Sequence, residues 1–84
     1  MYEYYFTFPS VTFAQRALSE LLQKGIVAEL IRAPKRISSY GCGYALKVSA
    51  SDGYVASAVM RSAGIRPSKS IRVYFDGRNE VIGT

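Results

Sequence analysis

The chain has 84 residues, 49% of them hydrophobic and 20% charged, a balance that fits one small globular domain and leaves no room for a second core. Eleven Lys and Arg against six Asp and Glu give a net charge of +5, with no histidine and a single cysteine. Those counts exclude an internal disulfide, an ordinary zinc site and any thiol–imidazole or Ser–His catalytic pair.

Charges interrupt every apolar stretch well before the ~20 residues that a membrane span requires. The N-terminal Met-Tyr-Glu-Tyr-Tyr has no basic segment leading into an apolar one, which argues against a signal peptide. A lone cysteine fits the reducing cytoplasm.

In chain order, Tyr2 to Phe8 reads as a strand, with Tyr4, Phe6 and Phe8 on one face and Glu3, Tyr5 and Thr7 on the other. Pro9-Ser10 stops it. Ser10 is a candidate helix cap, and Thr12 with Gln15 three residues later fits a capping box equally well. Ala14, Ala17, Leu18, Leu21 and Leu22 then follow a helical stripe that Gly25 should end. Ile26 to Arg32 is extended in character. Residues 33–43, APKRISSYGCG, form an eleven-residue connection, long for joining antiparallel strands and for that reason a candidate functional loop.

Tyr44 to Ser49 alternates as a strand, and Ser51 or Asp52 can cap a second helix with the stripe Val55, Ala58, Val59 and Ala63, ending at Gly64. Ile71 to Phe75 is the last clear strand. Asp76-Gly77 turns the chain, and residues 77–84 then form either a short hairpin partner or a frayed tail beyond a core of residues 2–76. The order βαββαβ implies an α+β, ferredoxin-like fold over the single domain 1–84. Its sheet would be four-stranded and antiparallel, with both helices on one face and the first and third strands in the centre.

That topology brings Cys42 to the end of the sheet where the first strand stops and the first helix starts. Ser10 and Thr12 mark that helix N-terminus, Lys35 and Arg36 share the loop with the thiol, and Arg66 and Lys69 return to the same end. Helix-end amides and nearby cations lower a thiol pKa from about 8.5 toward neutrality. Gly41 and Gly43 leave the sulfur unflanked and permit close backbone approach or positive φ, while Ser38 and Ser39 add short donors. Two readings of Cys42 stand side by side: a reactive thiol, or a small buried hydrophobe in a turn.

The segments YYFTFPSVTFAQRALSELLQKGI and APKRISSYGCGYALKVS resemble the selenium/sulfur carrier-like family, a short bacterial domain, over about Tyr4 to Val73. The most specific part is Pro34, a basic residue, Ile37-Ser38, then Cys42-Gly43 before Tyr44-Ala45-Leu46. Lys35 stands where the family commonly has Arg, with Arg36 one place later, which weakens bidentate anion binding at that position. The resemblance implies that Cys42 carries sulfur or selenium as a persulfide or selenosulfide. It implies no permanently bound cofactor or metal, a donor such as a cysteine desulfurase, an acceptor enzyme, and a carrier rather than a stand-alone catalyst.

The alternative is a binding or regulatory module that recognises single-stranded RNA or a protein through an open sheet face. That face offers Tyr5 in the centre beside Ala45 and Lys47, with Arg72 and Tyr74 at the edge, a poor stacking platform for nucleic acid. Tyr5 and Tyr74 together would instead suit a homodimer patch.

Overall fold

The computed structural model describes residues 2–34 and 43–83. The elements are β1 (Tyr2–Phe8), α1 (Val11–Gln23), β2 (Ala28–Arg32), β3 (Tyr44–Ser49), α2 (Gly53–Ser62), β4 (Lys69–Tyr74) and β5 (Asn79–Gly83), with a short 3-10 turn over Ala50–Asp52. The architecture is α+β: two helices and one antiparallel sheet in the order β2-β3-β1-β4-β5. The first and third strands lie inside the sheet, as the sequence reading expects. The expected four strands are corrected to five, because Asn79–Gly83 forms a hairpin partner to β4, the first of the two alternatives for this segment.

The reason is local. After β4, Gly77 takes φ +98°, Asp76 Oδ1 accepts the Arg78 amide at 3.1 Å, and the Tyr74 amide donates to the Arg78 carbonyl at 2.8 Å. This closed turn returns the chain in register, Val73 opposite Asn79 and Ile71 opposite Val81. The Arg78 amide also holds the Asp76 carboxyl below its ordinary pKa, since the hydrogen bond favours the charged form.

The main core lies between the sheet and the helices. Phe6, Phe8, Leu46 and Val48 face Ala14, Ala17 and Leu21 of α1 and Ala56 and Met60 of α2. Burying one such large apolar side chain contributes about 1.5–3 kcal/mol, and the alanines let each helix backbone approach the sheet. The α1 stripe departs from expectation at Leu22, which is exposed. In α2 the buried line is Gly53, Ala56 and Met60, whereas Val55 and Ala58 face outward. Asp52 does stand at the N-cap position of α2, as one of the two expected caps, but its carboxylate accepts the Ser49 hydroxyl at 3.3 Å and makes no capping bond to the helix.

A second buried cluster, Tyr5, Ala45, Ile71 and Val73, occupies the sheet face away from the helices, with Ile31 and Ala33 packed against it. Tyr5 is only 9% exposed, so it is not an open platform. Register also separates the expected patch. Tyr5 is opposite Ile71 while Tyr74 is opposite Tyr2, placing Tyr5 and Tyr74 on opposite faces. Nor are Arg72 and Tyr74 on an edge strand, because β5 pairs with β4.

Candidate functional site

One end of the sheet gathers several chain segments. Phe8 closes β1 opposite Tyr44, the first residue of β3, and Tyr44 is also opposite Arg32, the last of β2. The Ala33 amide donates to the Gly43 carbonyl at 3.1 Å, extending the β2–β3 ladder one step beyond the strands. The Arg32 guanidinium lies over the Tyr44 ring, 5.5 Å from its centroid, a cation–π contact at the same stem.

The next segment at this end is the start of α1. Ser10 is its cap: extended backbone (φ −134°, ψ 152°) turns the chain into the helix, and its hydroxyl accepts the Phe13 amide at 3.4 Å. Thr12 lies inside the helix and is exposed, so the alternative capping box is not used. No acidic residue stands in the first turn to compete for the positive helix end.

The third segment is the return from α2 into β4. The Thr7 hydroxyl is fully buried and makes two bonds to Lys69, donating to its carbonyl at 3.3 Å and accepting its amide at 3.0 Å. The Ser68 amide adds a 2.7 Å bond to the Thr7 carbonyl. These bonds fix Lys69 and the preceding Arg66 at the same end as α1, as the sequence reading places them.

Of the expected site residues, Ser10, Thr12 and Gly43 fall within the described part; Lys35, Arg36, Ser38, Ser39, Gly41 and Cys42 lie outside the described residues. Gly43 does not need to be glycine for backbone reasons. It does not adopt positive φ, and an added Cβ would meet nothing within 4 Å among the described residues. The expectation of a close approach or left-handed backbone at Gly43 is therefore corrected: extension of the ladder holds it in an ordinary conformation.

Charge is sorted along the sheet. Glu3, Glu29, Asp52, Asp76 and Glu80 belong to the far half of the fold, where β1 and β2 begin, β3 and β4 end, and the β4–β5 hairpin turns. Glu20 is in the last turns of α1, which runs away from the stem. Arg16, Arg32, Arg61, Arg66 and Lys69 occupy the stem end, and among the described residues none of them has a carboxylate partner. Sequence reasoning found Arg66 and Lys69 but missed Arg16, Arg32 and Arg61. Arg16 was legible in principle, being on the second turn of a helix that starts at this end.

In the far half, Lys47, Arg72 and Arg78 are matched with carboxylates, while Lys24 at the end of α1 has none among the described residues. Lys47 lies 3.5 Å from Glu29 and 3.9 Å from Glu3, and these carboxylates raise its pKa. Arg72 pairs with Glu80 at 2.8 Å and stacks over Tyr2 and Tyr4 at 4.9 and 5.8 Å. Hydrogen bonding to the tyrosines raises the Arg72 pKa further, keeping it a fixed charge. This cluster packs on the helix side and is internally satisfied apart from Arg72 Nε, which is buried without a partner.

Among the described residues no group of three or more His, Cys, Asp or Glu could hold a metal ion, and no helix is long and apolar enough to cross a membrane. The fold and this cationic stem define a small α+β protein whose loop-bearing end is set apart by charge. Residues 3–72 match the family described as "Putative Se/S carrier protein-like", and the chain belongs to that family. The family description is that of a carrier, which implies dealings with donor and acceptor proteins in general. No curated protein and no solved structure matches the chain.

Proposed function

We propose that the protein is a sulfur or selenium carrier that holds its cargo on Cys42 and works between a donor such as a cysteine desulfurase and an acceptor enzyme. The observation that carries the reading is the family match over residues 3–72, which spans the 33–43 connection. The stem supports it: both ends of that connection, Ala33 and Gly43, lie at the end of the sheet where α1 begins and where cations without a carboxylate partner among the described residues gather. That is an environment suited to stabilising a thiolate or persulfide anion. Lys35 and Arg36 on the connection would add to it, with Ser38, Ser39 and the Gly41 backbone as further donors.

In the transfer step the Cys42 thiolate attacks the terminal sulfur of a donor persulfide. A new S–S bond forms at Cys42 as the donor's S–S bond breaks, and the electron pair leaves on the donor thiolate. Delivery repeats the exchange with Cys42 as the leaving thiolate, so the carrier ends as it began. Selenium would pass in the same way as a selenosulfide. The scheme needs no permanently bound cofactor and no general base beyond the ionised thiol, in keeping with a non-catalytic role and a reducing cytoplasmic setting. The strand order, with β1 and β3 central, supports reading the first four strands as a ferredoxin-like unit with β5 added beside β4.

The test is loading: the protein is incubated with a cysteine desulfurase and cysteine, and the peptide containing Cys42 is read by mass spectrometry. A gain of ~32 Da, one sulfur atom, on that peptide and none on a Cys42→Ser chain supports the reading.

A further inference from the structure

Beside the stem, between the start of α1 and the return from α2, lies a cleft of about 290 Å³. Its walls are apolar, formed by Phe8, Phe13 and Ile65, and Arg16 and Arg66 stand among them. Phe13, in the first turn of α1, is 53% exposed and sets an apolar ring beside the two arginines. Neither arginine has a carboxylate partner among the described residues. Arg61 and Lys69 lie close by, while all six acidic residues belong to the other parts of the fold described above.

We infer that this cleft is the docking point for an acidic segment of a partner protein, with one apolar side chain of that segment seated on the Phe13 ring and flanking carboxylates on Arg16 and Arg66. Charge complementarity selects the occupant. Among the described residues this end carries cations and no acidic side chain, which attracts an acidic surface, and the acid-rich far half discourages approach from the other side. The half-exposed Phe13 ring selects a peptide-like anchor, since a fully charged strand would leave that ring uncovered, whereas Phe8 and Ile65 are already buried by the fold. A nucleic acid is the poorer fit, because the described residues around the cleft offer one exposed aromatic ring and no row of them on which successive bases could stack. The inference deepens the carrier reading by giving the chemistry of the donor or acceptor surface, and it rests on that reading only for the partner being a donor or acceptor.

The test uses the full chain and a synthetic acidic peptide of about ten residues with one central phenylalanine, followed by amide NMR shifts at low salt. The expected result is saturable binding with the largest shifts at Phe13, Arg16, Ile65 and Arg66. Affinity should fall about tenfold or more in the Arg16→Glu and Arg66→Glu chains, and several-fold when the peptide's phenylalanine is replaced by glycine. Glu20→Gln should leave binding unchanged. Shifts spread evenly over all cations, equal binding of the glycine peptide, no loss on charge reversal, or tighter binding of a single-stranded oligonucleotide would each overturn the inference. Circular dichroism of both charge-reversed chains confirms that they are folded. Cys42→Ser should bind the peptide as the parent chain does, so a failure of sulfur loading and a failure of docking are told apart.

Discussion

The ring of Tyr4 on β1 lies directly against the backbone of Gly53, the first residue of α2, in the space a side chain there would fill. The same ring stacks on Phe6 at 6.1 Å with an interplanar angle of 8°. Gly53 is therefore the point at which the second helix gains contact with the central strand. Although alanine is favoured over glycine within helices by about 1 kcal/mol, a methyl group here meets a rigid ring held on its other side by Phe6. Gly53→Ala should destabilise by about 1–3 kcal/mol, read as a lower urea midpoint at an unchanged slope.

Thr7 joins the fold to the stem end. Its hydroxyl satisfies both the amide and the carbonyl of Lys69 from a fully buried position. Thr7→Val keeps the shape and strands both backbone groups, so a loss of about 1–3 kcal/mol is expected in equilibrium unfolding. Thr7→Ser should recover most of that, less the missing methyl group.

The two candidate caps of α1 are separable by experiment. Ser10 accepts the Phe13 amide, while Thr12 is an exposed helical residue. Ser10→Ala should cost about 0.5–1 kcal/mol, toward the low end for a cap because the bond is 3.4 Å long. Thr12→Ala should be neutral or slightly stabilising, through helix propensity. Thermal unfolding of the two chains gives the comparison directly.

Lys47 sits between Glu3 and Glu29, which raise its pKa. A cation whose pKa is higher in the folded state stabilises most below its unfolded value, and loses that contribution as pH rises through the folded one. Because its side chain is 35% exposed, the contribution at neutral pH is modest, under about 1 kcal/mol. Lys47→Gln should therefore be slightly less stable than the parent at pH 7, with the difference vanishing in strongly alkaline solution and shrinking in high salt.

The elements were legible because their signals are local. Gly25 and Gly64 both adopt positive φ at the helix ends, and the alternation in Tyr44–Ser49 gives its two faces correctly. What alternation cannot convey is the width of the sheet or its neighbours. Tyr5 looked exposed from its own strand, and it is buried because Ile71 stands opposite it and Val73 and Ala45 complete the cluster. Arg72 and Tyr74 looked like edge residues because a five-residue strand beyond Asp76-Gly77 is a weak pattern until the turn bonds close it. Of the expected α2 stripe, Val59 and Ala63 do pack against the core, while Val55 and Ala58 are exposed and the fully buried positions are Met60 and the small Gly53 and Ala56, whose size gives little hydrophobic signal. At the candidate site, topology alone brought Ser10, Gly43, Arg66 and Lys69 together. The cleft between Phe13 and Arg66 was not legible, because it depends on how closely α1 approaches the return from α2.

Acceptance and release of a chalcogen atom by Cys42 is read from the intact mass of the protein after incubation with a cysteine desulfurase and cysteine. A species heavier by ~32 Da is expected, reversed by a thiol reductant and absent from Cys42→Ser. The same label should leave the carrier when an acceptor thiol is added. An unmodified mass under conditions in which the desulfurase itself is loaded, or an equal gain in the Cys42→Ser chain, would contradict it.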